Sequence, residues 1–97
     1  MKLSELDAKW VRLHDSVDDS ERADLSVIGV SFKCPTGADH RHFVPFEGCN
    51  PADPRGWRVT AGATFDALTL EPSILFHPGH DCAGWHGFIT AGEVRTG

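Results

Sequence analysis

The spacing of apolar positions changes character about a quarter of the way along the chain. Near the N-terminus, Leu6, Trp10, Leu13 and Val17 fall on one helical face, with Ser4 and Asp7 spaced as an N-cap and capping-box pair. That pattern predicts a short helix over residues 3–14. Trp10, Val11 and Leu13 equally suit a second arrangement, a helical turn from Ser4 to Asp7 followed by a strand from Lys9 to Leu13. The stretch Asp15 to Asp24 (DSVDDSERAD) is acidic and aperiodic, and predicts an exposed loop.

Beyond Leu25 the texture is that of short strands. Ser26 to Lys33 (SVIGVSFK) predicts a strand that runs into Cys34. His42 to Phe46 (HFVPF) predicts a second, which Pro45 assigns to an edge or a strand end. Trp57 to Ala61 (WRVTA) alternates and predicts a half-buried third. Leu68 to Leu70 and Ile74 to Phe76 are separate apolar pieces with a bend at Glu71-Pro72-Ser73. Trp85 to Ile89 and Glu93 to Arg95 flank Thr90-Ala91-Gly92, a hairpin with Gly92 at the positive-φ position. The fold class expected is mainly β: a small single-domain antiparallel fold over residues 26–97, after an N-terminal segment over 1–25.

Composition narrows the function classes. A formal net charge of -5 and no cluster of Lys and Arg argue against a nucleic-acid partner recognised through its phosphates. No apolar run is long enough to span a bilayer, and no basic segment precedes an apolar one, so the expected location is the cytosol. Disulfides rarely persist there, and three cysteines cannot pair evenly, which turns attention to metal ligation.

Cys82-Ala-Gly-Trp-His86 sets a thiolate and an imidazole four residues apart around Gly84. Far upstream, Cys34-Pro-Thr-Gly-Ala-Asp-His40-Arg-His42 begins at a strand end and enters a Gly-containing knuckle. Together they predict a zinc-ribbon-like Zn2+ site with Cys34, His42, Cys82 and His86 as ligands. His40 is the alternative to His42, on the premise that neighbouring strand positions do not both face one ion. His77 and His80 are read as solvent-exposed or outer groups, Cys49 as a free thiol and His14 as a surface residue. Trp57 and Trp85 are read as core rings. Ser73 lacks a G-x-S-x-G context and is read as a bend residue.

An ordered set of segments resembles a family of small phage and prophage proteins of unknown function, some labelled "ammonia monooxygenase". The set comprises Phe-Lys-Cys34-Pro, His42-Phe-Val-Pro45-Phe, Gly56-Trp57-Arg, Leu68-Thr-Leu-Glu-Pro72-Ser73-Ile74 and Cys82-Ala-Gly-Trp-His86-Gly-Phe-Ile-Thr-Ala-Gly92-Glu. The resemblance covers about residues 28–95. Where family members often carry further cysteines after the first, this chain has Thr36, Gly37 and Ala38. The resemblance implies a phage or prophage origin and a zinc site, and brings no activity. The function expected is therefore non-enzymatic: a zinc-stabilised protein that binds a host or phage protein, as a virion accessory component or an inhibitor of a host system. A small zinc-dependent hydrolase and a nucleic-acid-binding module are the alternatives.

Overall fold

The computed structural model describes residues 1–13, 17–18, 26–37, 40–76 and 84–96, with backbone alone at 17–18. Among the described residues, nine strands follow one 3-10 turn at Leu3–Leu6. They are β1 (Lys9–Arg12), β2 (Val17–Asp18), β3 (Val27–Lys33), β4 (Arg41–Pro45), β5 (Arg58–Ala61), β6 (Thr69–Glu71), β7 (Ile74–Phe76), β8 (Trp85–Thr90) and β9 (Glu93–Thr96). These build three antiparallel sheets, in the orders β2-β1-β3-β4, β5-β6 and β7-β8-β9. The expected mainly β, antiparallel, single-domain architecture is what the chain adopts. Among the described residues no helix is long and apolar enough to cross a membrane.

Of the two N-terminal arrangements, the turn followed by a strand is the one formed. Its cap lies two residues earlier than Ser4: the Lys2 backbone N–H donates to Glu5 Oε1 at 2.8 Å. Asp7 ends the turn at φ 51. Its carboxylate faces outward to Lys9 (3.7 Å) and Arg41 (3.0 Å) instead of capping. β1 then pairs with β3 in a register running from Lys9↔Ser31 to Arg12↔Val27. This pairing buries Trp10 completely, stacked on Phe65 at 4.3 Å between centroids and edge-on to Phe46. A lone amphipathic helix could not supply the ladder hydrogen bonds that β3 needs on this side, so tertiary pairing overrides the helical spacing.

The bend at Glu71-Pro72-Ser73 moves the chain from one sheet to another. Residues before it pair with β5 (Arg58↔Glu71, Val59↔Leu70), and residues after it pair with β8 (Ile74↔Gly87 to Phe76↔Trp85). The β8–β9 turn carries positive φ at both Ala91 (48°) and Gly92 (75°). Gly92 is also the point where the sheets meet. Its N–H donates to the Leu68 carbonyl, its carbonyl accepts from Leu3 N–H (both 2.9 Å), and a Cβ there would lie 2.4 Å from the Phe65 carbonyl oxygen.

One strand differs from its expected burial. β5 was anticipated as half-buried, yet all four residues are exposed. Among the described residues β6 is its sole sheet neighbour, and none of them forms a second layer over the face that alternation would turn inward. Trp57, just before it, is the ring that packs on the core.

Candidate active site and metal group

The Glu71-Pro72-Ser73 bend lies beside the chain entering β5. The Trp57 indole Nε1 donates to the Ser73 carbonyl at 3.1 Å, and so fixes the backbone of the bend to the start of that strand. Trp57 is fixed in turn: its N–H donates to the Pro45 carbonyl (2.9 Å) and its carbonyl accepts from Glu47 N–H (2.8 Å). Glycine is required at the neighbouring position, because a Cβ on Gly56 would lie 2.5 Å from the Pro45 carbonyl oxygen.

A cleft of about 520 Å³ opens over this junction, lined by Pro45, Asp53, Arg55, Gly56, Trp57, Pro72 and Ser73. An adjoining one of about 290 Å³ is lined by Glu47, Gly56, Arg58, Glu71 and Pro72. Both are lined by Gly56 and Pro72, so the two clefts lie side by side, one at Ser73 and the other at Arg58, the first residue of β5. Its charges are partly paired: Arg55 holds Asp53 at 2.9 Å and Arg58 approaches Glu47 at 3.8 Å. The Arg55 contact holds the Asp53 carboxyl below its ordinary range.

The other described serines are engaged elsewhere or lie on the surface. Ser26 Oγ accepts from Arg12 (3.0 Å), Ser31 Oγ accepts from Arg41 (2.9 Å), and Ser4 is exposed in the 3-10 turn. Ser73 is half-buried at the groove. The nearest strand carrying an imidazole is β8, where His86 pairs with Leu75 and the ladder ends at Ile74↔Gly87, one residue after Ser73. Leu75, His86 and Phe88 are exposed on that sheet.

A second group lies on the other side of β7. One ligand atom each from Cys34, His40 and His42 falls within 4.8 Å of the others, and such a set can hold a metal ion. The two imidazole Nε2 atoms are 3.2 Å apart. Cys34 is buried with its Sγ 2.9 Å from Thr36 Oγ1. His40 Nδ1 is buried without a hydrogen-bond partner among the described residues. The His42 ring stacks on Phe76 at 3.8 Å and 6° between planes, and meets the edge of Phe32. Burial first, and the neighbouring His40 second, push the His42 imidazole below its ordinary pKa, toward the neutral form that ligates metals.

The structure distributes the anticipated ligands as follows. Cys34 and His42 come together, and His40 joins them instead of competing with His42. Positions two apart on an extended chain share a face, so the premise that separated them does not apply. His86 sits on the exposed face of β8, whereas Trp85 next to it turns inward to stack on Phe76. Cys82, His77, His80 and His14 lie outside the described residues, as does most of the acidic stretch Asp15–Asp24. Cys49 is an exposed thiol. Ser73, read from sequence as a bend residue, lies at that bend, in the Leu-Thr-Leu-Glu-Pro-Ser-Ile segment.

No curated protein and no solved structure matches this chain. A family model described as "Bacterial ubiquitination-like system serine protease (BubE)" matches residues 6–96, nearly the whole chain. This match overturns the expectation of a non-enzymatic phage or prophage binding protein, together with its zinc-hydrolase and nucleic-acid alternatives. The chain belongs to the BubE family.

Proposed function

We propose that this member of a serine-protease family is itself a serine peptidase, with Ser73 as nucleophile and His86 as its general base, acting on proteins joined to a ubiquitin-like modifier. The observation that carries the reading is Ser73 at the groove, with its carbonyl tied down by the Trp57 indole at 3.1 Å. A nucleophilic hydroxyl needs an imidazole within reach to take its proton, and this reading gives that role to His86, exposed on β8 opposite Leu75. In the first step Ser73 Oγ attacks the scissile carbonyl carbon while His86 accepts its proton. The C–N bond then breaks, the imidazolium protonates the departing amine, and an ester joins the acyl group to Ser73. Water, deprotonated by the same imidazole, hydrolyses that ester, which releases a carboxylate and restores the Ser73 hydroxyl.

The metal in this reading is zinc, held by Cys34, His40 and His42. Two nitrogens at about 2.0–2.1 Å from a tetrahedral zinc stand about 3.3 Å apart, close to the 3.2 Å between the two imidazole Nε2 atoms. Thiolate and imidazole donors favour zinc over magnesium or calcium. Held by these three residues, the ion would supply cross-linking rather than reaction chemistry, fastening the Cys34 knuckle to β4. Through the stack of His42 on Phe76, it would also brace the strand that begins one residue after Ser73. Protein substrates and a cytosolic setting complete the proposal.

A fluorophosphonate probe, which reacts with activated serines, tests the assignment. The purified protein is expected to be labelled, Ser73→Ala to lose labelling entirely, and His86→Ala to label about 10²–10⁴-fold more slowly. Undiminished labelling of Ser73→Ala would remove Ser73 from the role.

A further inference from the structure

Resting on the peptidase reading for its choice of ligand, we infer that the open edge of β5 (Arg58–Ala61) docks the C-terminal tail of the ubiquitin-like modifier as an added strand. Trp57 directs both its backbone groups at the 45–47 segment, in an isolated parallel bridge with Phe46. Strand alternation turns the backbone of Arg58 toward β6, where it pairs with Glu71. The N–H and C=O of Val59 then face the same side as those of Trp57. By that point the chain that accompanied Trp57 has left, turning away at Glu47–Cys49. The slot beside Val59 is thus the continuation of a strand position that the protein itself begins and abandons.

Three further observations make this slot a substrate path. All four β5 residues are exposed, and among the described residues β6 is their only sheet partner. Two clefts that share Gly56 and Pro72 lie between Arg58, at the start of this edge, and Ser73. A peptidase must also hold its acyl-side chain extended, and a free strand edge does so through backbone hydrogen bonds that tolerate varied side chains. The Val59 side chain, 39% exposed, offers an apolar contact to one residue of the incoming strand.

The experiment measures binding apart from cleavage. Ser73→Ala protein is titrated with a fluorescein-labelled peptide copying the C-terminus of the modifier conjugated by the same system, and anisotropy is recorded. Val59→Pro deletes the outward N–H, a substitution that an edge strand accommodates because that group pairs with nothing inside the sheet. With Ser73→Ala as background, Val59→Pro is expected to weaken the peptide about tenfold or more, in keeping with the lost backbone bonds. Val59→Thr, which keeps the backbone intact, is expected to bind within about twofold of its parent. Singly N-methylated peptides, tested on protein with Val59 in place, are expected to lose affinity at alternate positions. Absence of binding, equal affinity for Val59→Pro, or indifference to N-methylation would each overturn the inference, the last even if Val59→Pro failed to fold. Persistent cleavage by Ser73→Ala would instead fault the nucleophile and leave these binding results standing.

Discussion

The Trp57–Ser73 tether is the most direct place to test how the fold holds its proposed nucleophile. Trp57→Phe keeps an aromatic ring and deletes the indole N–H that the Ser73 carbonyl accepts at 3.1 Å. The lost bond is neutral and partly buried, which sets its contribution at about 1 kcal/mol. Removing the five-membered ring adds a packing loss of similar size, about 1 kcal/mol for a half-buried site. Each kcal/mol moves the midpoint of a domain this size by about 4–8 °C, so Trp57→Phe should melt about 8–16 °C below wild type. Replacing Trp57 with benzothienylalanine, which keeps the bicycle and swaps N–H for sulfur, isolates the bond and should cost about half of that shift. Turnover is the sharper readout. A displacement of Ser73 approaching 1 Å lowers kcat by up to about 10²-fold, whereas KM, set along the groove, should change much less. Scanning fluorimetry and initial-rate kinetics on a modifier carrying a C-terminal aminocoumarin measure both quantities. If the benzothienylalanine protein melts and turns over like wild type, the indole bond does not position Ser73.

Two further outcomes follow from other contacts. A tight chelator should lower the melting temperature and kcat together, with zinc restoring both. His40→Ala or His42→Ala should make the protein insensitive to the chelator, and elemental analysis of the purified chain would report the ion. Acid should loosen the N-terminal segment from β4. Lys9 first, with Arg41 reinforcing it, holds the Asp7 carboxyl below its ordinary value. A carboxyl whose folded pKa is depressed stabilises the fold above the ordinary carboxylate range, and that stability is lost as the pH falls through the depressed value. Asp7→Asn should therefore flatten the pH dependence of the melting temperature below the ordinary carboxylate range, and an unaltered profile would exclude the contact as its source.

Most of the strand order was legible in residues 26–96 because turn formers bracket each apolar run. Pro72 separates β6 from β7, and Ala91-Gly92 closes the β8–β9 hairpin. Residues 3–14 were ambiguous for a physical reason: Leu6, Trp10 and Leu13 satisfy a helical period, and only the pairing edge of β3 decides for the strand. The exposure of β5 was invisible too, since alternation states which residues share a face but not whether anything covers it. At the candidate sites, sequence located Cys34 and His42 and offered His40 as a rival, where period-two geometry makes it a companion. Ser73 was read as a bend residue for want of a G-x-S-x-G context, and the base proposed for it lies thirteen residues away, a spacing that no local motif encodes.

A thin-cored domain of 97 residues has few ways to hold one hydroxyl within the half-ångström or so that catalysis requires. Here the constraints on Ser73 come from different sheets. Pro72 and β6 fix it from one side, Ile74 and the β7–β8 ladder from the other, and Trp57, at the entry to β5, from across the groove. These strands contribute little enthalpy individually, since β6 and β7 are each three residues long. What stiffens β7 is the ring stack behind it, in which Phe76 lies between His42 and Trp85, at centroid distances of 3.8 and 5.9 Å. An imidazole in such a stack is a poor anchor while it is free to rotate, and a good one when its nitrogen is tied to an ion shared with Cys34 and His40. The metal group and the serine thus need not touch to depend on each other. On the proposed reading, an ion held there would govern how sharply β7 is fixed, and β7 would govern where Ser73 meets its substrate.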